Sequence, residues 1–200
     1  YSHLQLDMED FNSRLFDRSL IDVEDTFNTL GGGFYTLVGS RWTVGGDVQV
    51  MLENSRQVGV HSTTVSGGFG DLKLGWLAYS NGGFHAHPRL GVGLGTVDME
   101  ITALGEPDPT GPLGGDRGML EMSSFQTIVT LDAAFDYMLP LSQADDGSVR
   151  GLVMGVSLGY RLSPWQGAWD ETGIDIFDDP GIKLQGPTIR LSVGYGWSGR

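Results

Sequence analysis

The sequence predicts an all-β fold, an eight-stranded antiparallel up-and-down β-barrel of the transmembrane type, with a short helical segment in its first long loop. Three observations carry that expectation. The closing stretch alternates Ile189, Leu191, Val193, Tyr195 and Trp197 with Thr188, Arg190, Ser192, Gly194 and Gly196, and a period of two marks a strand whose successive side chains point to opposite faces. Opposite the apolar face stand Gly, Ser and one Arg, not the mixture that normally meets water. That contrast suits lipid outside and a crowded polar lumen inside. Finally, the connections between such stretches alternate between long and short, as external loops at one rim and tight turns at the other require.

In chain order, one domain spans residues 1–200, with strands near 2–8, 34–42, 46–54, 60–79, 84–101, 124–139, 150–162 and 187–197. Leu4, Leu6 and Met8 alternate in the first. From Met8 the spacing becomes three and four through Phe11, Leu15, Phe16, Leu20, Val23, Phe27 and Leu30, which predicts amphipathic helix over 8–30 with Gly31-Gly32-Gly33 as its C-cap. That helix packs on the rim or plugs the lumen. The second strand, Phe34 to Trp42, has no clear facing and turns through Thr43-Val44-Gly45. Val48, Val50 and Leu52 then oppose Asp47, Gln49, Met51 and Glu53, before a loop from Asn54 to Gly59.

In the fourth strand Leu72, Leu74 and Trp76 are out of phase with Val65, which predicts a bulge at Gly67-Gly68. Ser80-Asn81-Gly82-Gly83 is hairpin-turn chemistry. Leu90, Val92 and Leu94 then alternate with Arg89, Gly91 and Gly93, and a second slip follows Gly95-Thr96, to Val97, Met99 and Ile101. Pro88 removes a ladder donor, so it belongs near a strand end or an irregularity. Residues 103–122 read as a long loop, 143–147 as a turn and 163–185 as another loop. Four segments of 11 residues, 84–94, 125–135, 152–162 and 187–197, match the ~9–11 that a tilted strand needs to cross hydrocarbon. Trp42, Trp76, Tyr79, Phe84, Tyr137, Tyr195 and Trp197 gather toward the short turns as an interfacial girdle would. Phe34, Tyr35, Phe125 and Tyr160 are expected at the other rim.

Glycine is 32 of 200 residues, against a usual share of roughly 7%, with neither collagen triplets nor linker bias. No apolar run approaches the ~20 residues of a spanning helix. There is no cysteine, so disulfides and thiolate metal sites are excluded. The chain opens at Tyr1 without Met, as it would after removal of a leader or after trimming. A net charge of −13 argues against a nucleic-acid partner, which needs clustered Lys and Arg. Residues 7–31, 98–123 and 163–186 hold 18 of the 25 acids and 4 of the 12 bases; the remainder is close to neutral.

Gly159-Tyr-Arg-Leu-Ser-Pro164, Arg89-Leu-Gly-Val-Gly-Leu-Gly95 and the closing Ile-Arg-Leu-Ser-Val-Gly-Tyr-Gly-Trp resemble the outer-membrane β-barrel superfamily, the group of OmpA-like transmembrane domains, OmpW-like and opacity-type proteins. The resemblance is architectural and covers nearly the whole chain. It implies a bacterial outer-membrane location and identifies no activity. One departure is that Trp197 is followed by Ser-Gly-Arg, where the family ends on a terminal aromatic.

An eight-stranded barrel is filled by its own side chains. The expected inward network is Asp47, Glu53, Asp71, Lys73, Arg89, Asp132, Asp136, Arg161 and Arg190, either a salt-bridge lattice or a narrow ion path. Leu131, Phe135, Val156, Leu158, Ile189, Leu191, Val193, Tyr195 and Trp197 are expected to face lipid or partner subunits. His85 and His87 share a face, and Asp175, Asp178 and Asp179 crowd one loop with Asp170 and Glu171. These are weak metal candidates, with no third ligand evident beside the histidines. His61 and Ser62 are adjacent and lie on opposite faces, which is unsuited to a nucleophile–base pair. No phosphate-cradling motif occurs. No cofactor or catalytic residue is expected.

The function read from the sequence is non-enzymatic: an outer-membrane barrel with a structural or interaction role through acidic loops. Membrane lipid is the expected partner, with lipopolysaccharide bridged by divalent cations. The alternatives are a subunit of an extracellular filament or tube of packed barrels (a homo-oligomer), a narrow pore, and a soluble lipocalin-like barrel with its apolar face inward.

Overall fold

The computed structural model describes residues 1–5, 8, 12–13, 25–58, 61–103, 119–143, 148–168, 170–172 and 182–198. Ten strands occur among them: β1 (Ser2–Gln5), β2 (Thr26–Val38), β3 (Trp42–Val58), β4 (His61–Trp76), β5 (Tyr79–Asn81), β6 (Phe84–Ala103), β7 (Met119–Gln143), β8 (Val149–Gln166), β9 (Asp170–Thr172) and β10 (Gly186–Ser198). Every pairing is antiparallel. The order β6-β4-β3-β2-β1-β10-β8-β7, with β6 also paired to β7, closes the sheet in a ring. The short β5 continues the line of β4 beside β6, and β9 pairs with β7.

The strand ends joined through 39–41, 82–83 and 144–148 are at one end of the ring, and those joined through 6–25, 59–60, 104–118 and 167–185 are at the other. Gly82 and Gly83 have φ of 58° and 87°. A hairpin turn with both central residues at positive φ matches the right-handed strand twist, and glycine adopts that conformation without steric cost. Pro88 pairs opposite Ala133 within β6, just past the end of β4 at Trp76, so its missing N–H falls beside the break between β4 and β5.

Several boundaries differ from those expected. The second strand starts at Thr26, and its turn is at 39–41, not 43–45. Phe27 and Leu30, expected in a helix, are in that strand, and Gly31–Gly33 continue it instead of capping a helix. Asn12 donates its backbone N–H to the Met8 carbonyl at 2.9 Å, and 9–11 and 14–24 of the expected helix lie outside the described residues. β1 ends at Gln5, and the loops placed at 54–59 and 103–122 give way to strand up to Val58 and from Met119. No bulge occurs at Gly67-Gly68. The register shifts instead on β3, between Met51 and Asn54, while β4 pairs with β6 without interruption from His61 opposite Ala103 to Gly75 opposite Arg89.

One physical cause accounts for most of these differences. On β2, β4 and β6 the inward parity does not slip; its chemistry changes. On β6 the odd-numbered residues face inward throughout: His87, Arg89 and Gly91 toward the short turns, then Val97, Met99 and Ile101 toward the long connections. Outward, Leu90, Val92 and Leu94 give way to Thr96, Asp98 and Glu100. The same inversion runs along β4, where Val65 and Phe69 are buried, Leu72 is 75% exposed and Asp71 is 4% exposed. On β2, Phe27 points in whereas Leu30 and Phe34 point out, so a strand of strict period two reproduces helical spacing.

The interior is therefore layered. Leu4, Met8, Phe27, Met51, Val65, Phe69, Val97, Met99, Ile101, Met122 and Ile128 form an apolar core with Ile182 and Leu184. The last two come from the segment preceding β10, which dips into the ring. Gln126 pins it there: its Nε2 donates to the Ile182 carbonyl and its Oε1 accepts from the Leu184 N–H, both at 2.8 Å.

Continuous parity has a direct check. Truncating the inward Met99 to Ala should cost about 2–5 kcal/mol, whereas Glu100→Ala on the outer face should stay within about 0.5 kcal/mol. Urea unfolding in detergent measures both, and the reverse ranking would restore the phase slip.

Candidate functional site: a charged interior inside an apolar band

Below the apolar core, inward parity brings together four carboxylates (Asp47, Asp71, Asp132, Asp136) and four cations (Lys73, Arg89, Arg161, Arg190), all buried or half-buried. Lys73 is the hub. Its Nζ lies 2.8 Å from Asp47, 3.2 Å from Asp132 and 3.7 Å from Asp71. Arg190 reaches the same Asp47 oxygen at 2.6 Å, and Arg89 Nε donates to Asp132 Oδ1 at 2.5 Å. Asp47 and Arg190 thus meet from 143 positions apart in sequence, on strands separated in the ring by β2 and β1.

Neutral groups complete the lattice. Gln49 Nε2 donates to Asp47 Oδ1 at 2.9 Å, and its Oε1 accepts from Ser2 and Thr29 at 2.5 and 2.6 Å. Thr130 donates to Asp71 Oδ2 at 3.0 Å. Arg161 sits at the boundary between the layers: its guanidinium lies 3.6 Å from the centre of the Phe69 ring, and neither its Nε nor its Nη1 has a hydrogen-bond partner among the described residues. Such a contact places the positive charge against the negative ring face. Toward the short turns, His87 Nε2 approaches Asp136 Oδ2 to 2.9 Å, and its ring packs edge-on against Tyr35 at 5.3 Å.

Eight of the nine residues expected in the network lie in this interior. Glu53 does not. The β3 register shift between Met51 and Asn54 moves it out of phase with Asp47, and it is exposed. Gln49, Thr130, Phe69 and Tyr35 belong to the site and were missed. Gln49 shares the parity of Asp47 and Thr130 that of Asp132, so reading every inward position, not only the charged ones, finds them.

The outer face is the converse. Leu131, Phe135, Leu158, Ile189, Leu191, Val193, Tyr195 and Trp197 are exposed and Val156 is half-exposed. Leu30, Phe34, Val44, Val48, Val50, Leu72, Leu74, Leu90, Val92 and Leu94 extend the surface around the ring. Isolated exposed apolar residues are ordinary, but a continuous patch of this extent on a soluble monomer is not. Trp42 pairs across strands with Trp76, and Phe84 with Tyr137, at the short-turn end. Phe34 and Tyr35 do not mark the other rim: β2 starts eight residues early and carries them down, and Tyr35 turns inward. Phe125 packs edge-on with Trp165 toward the long connections.

No group of three or more His, Asp or Glu side chains among the described residues is placed to hold a metal. His87 is engaged with Asp136 and Tyr35, and Asp175, Asp178 and Asp179 lie outside the described residues, as does the side chain of His61. No family model, curated protein or solved structure matches the chain.

Burying an ion is costly unless it is paired, so removing one partner strands the others. Lys73→Met should therefore destabilise by about 3–5 kcal/mol, more than Arg150→Met on the exposed strand end, which should shift stability by less than about 0.5 kcal/mol. Thermal unfolding in detergent measures the two, and equal effects would remove Lys73 from its central role.

Proposed function

We propose that this chain is a non-enzymatic β-barrel of a bacterial outer membrane, with a side-chain-filled lumen and a structural or interaction role exercised through its acidic connections. One observation carries the reading: the exposed apolar band girdles the short-turn half of the ring and stops where the strands become polar outside and apolar inside. The outward apolar run on β6, Phe84 to Leu94, covers on the order of 25 Å along the axis at ~3.4 Å per residue and a tilt of ~40°, the height of a hydrocarbon layer. β6 and β7, at 20 and 25 residues, exceed the ~9–11 needed to cross it. Their surplus projects into water as an ordinary sheet with an apolar core.

This surplus favours lipid over a lipocalin-like soluble barrel, whose exterior would be polar along its full height. The interior ion pairs and the inserted segment at 182–184 favour a closed lumen over a pore. Acidic loop segments above the membrane would meet lipopolysaccharide phosphates through divalent cations.

Reconstitution into vesicles whose acyl chains carry bromine tests the assignment. Fluorescence of Trp42, Trp76 and Trp197 should be quenched, and planar bilayers should show no conductance. Val193→Arg should destabilise the inserted form by about 2–4 kcal/mol if Val193 lies near the bilayer midplane, and less toward the interface. Recovery without detergent as large assemblies, with unquenched tryptophans, would instead identify a filament subunit whose band meets neighbouring barrels.

A further inference from the structure

The ring is closed by its thinnest member. β1 has four residues, and only its upper reach separates β2 from β10. Ser2 lies opposite Thr29 on one side and Arg190 on the other, and Tyr1 makes the last rungs to Leu191: its carbonyl accepts the Leu191 N–H at 2.8 Å, and its amino group donates to the Leu191 carbonyl at 3.2 Å. Beyond Tyr1, no described strand lies between Gly31–Val38 of β2 and Ser192–Ser198 of β10, and these two stretches do not pair with each other.

Exposure records the same opening. Inward positions elsewhere are largely covered, as at Thr43, Asp47 and Gln49 on β3, yet Gly31, Gly33 and Tyr35 on β2 and Ser192 and Gly194 on β10 are all exposed. A Cβ built at Gly194 would meet nothing within 4 Å.

Among the described residues both edges are unpaired, and they match. Backbone groups alternate sides along a strand. Since Leu191 bonds toward β1, Val193, Tyr195 and Trp197 present their N–H and C=O groups to the opening, and on β2 the same alternation presents Gly31, Gly33, Tyr35 and Leu37. β2 and β10 are each antiparallel to β1 and therefore parallel to one another, one strand apart. A single strand running toward Tyr1 is antiparallel to both. The existing registers extrapolate without conflict: the position before Tyr1 faces Gly31 and Ser192, and seven residues reach Leu37 and Ser198.

We propose that the ring is completed by a seven-residue extended strand in line with β1, joined to the amino group of Tyr1 and hydrogen-bonded to both β2 and β10. Its alternate side chains would be small or polar toward Gly31, Gly33 and Gly194, and apolar outward beside Leu30, Phe34, Val193 and Tyr195, continuing the band. The inference stands on backbone edges alone, so its failure leaves the lipid-facing assignment intact.

The test compares the 200-residue chain with the same chain carrying seven alternating Ser and Val residues ahead of Tyr1, both in detergent micelles. Amide exchange is read at Gly31, Gly33, Tyr35, Leu37, Val193, Tyr195 and Trp197. Joining the segment should slow exchange there by roughly 100-fold or more and leave β3 and β4 unchanged. A segment of seven Pro, whose rings crowd the approach of both neighbouring strands and which offers no N–H to either ladder, should not pair and should not protect. The proposal is overturned if these amides are already as slow as those of β3 in the 200-residue chain, or if the Pro segment protects equally. It is overturned equally if only a free peptide of the same sequence protects.

Discussion

A closed sheet leaves every second side chain no exit to solvent, and in a ring of eight strands those side chains converge within a few ångströms of one axis. The short-turn half meets that constraint with charge. Lys73 is held by three carboxylates, and Asp47 in turn holds Arg190. Each ion is buried at a cost that its neighbours offset, so the lattice acts as a unit. It ties β3, β4, β6, β7 and β10 together across the interior, where no backbone ladder can reach.

The other half meets the constraint with hydrocarbon. Val97, Met99 and Ile101 close against Phe27, Val65 and the inserted Ile182 and Leu184. Arg161 stands at the junction with its charge against Phe69. The exterior follows the opposite course, apolar around the ions and polar around the hydrocarbon core. The proposed membrane location would supply a matching environment for each half, a bilayer around the first and water around the second. Glycine at positions such as Gly93 makes the narrow half possible: a Cβ there would collide with the Gly70 carbonyl oxygen and sit 2.7 Å from Asp71.

The same two-solvent arrangement gives the open stretch of wall its importance. Water can satisfy an unpaired strand edge, but hydrocarbon cannot. The opening lies in the short-turn half, flanked by Val193, Tyr195 and Trp197, which is the half wrapped by the apolar band.

The sequence alone determined the strand character, the antiparallel sheet and, Glu53 apart, which charges would turn inward. Period two is a local property of the extended backbone, and Lys73, Asp132 or Arg190 can be assigned to a face without knowing any partner. It misled wherever the two faces exchanged chemistry, at Phe27 to Leu30, at Val65 and at Val97, because hydrophobicity was read as direction, and only the environment decides which face is dry. Who meets whom was a matter for the tertiary structure. The sharing of Asp47 by Lys73 and Arg190, the stacking of Arg161 on Phe69, the capture of residues 182–184 by Gln126 and the gap beside Tyr1 all depend on register and ring closure, which couple residues far apart in the chain and leave no periodic trace within it.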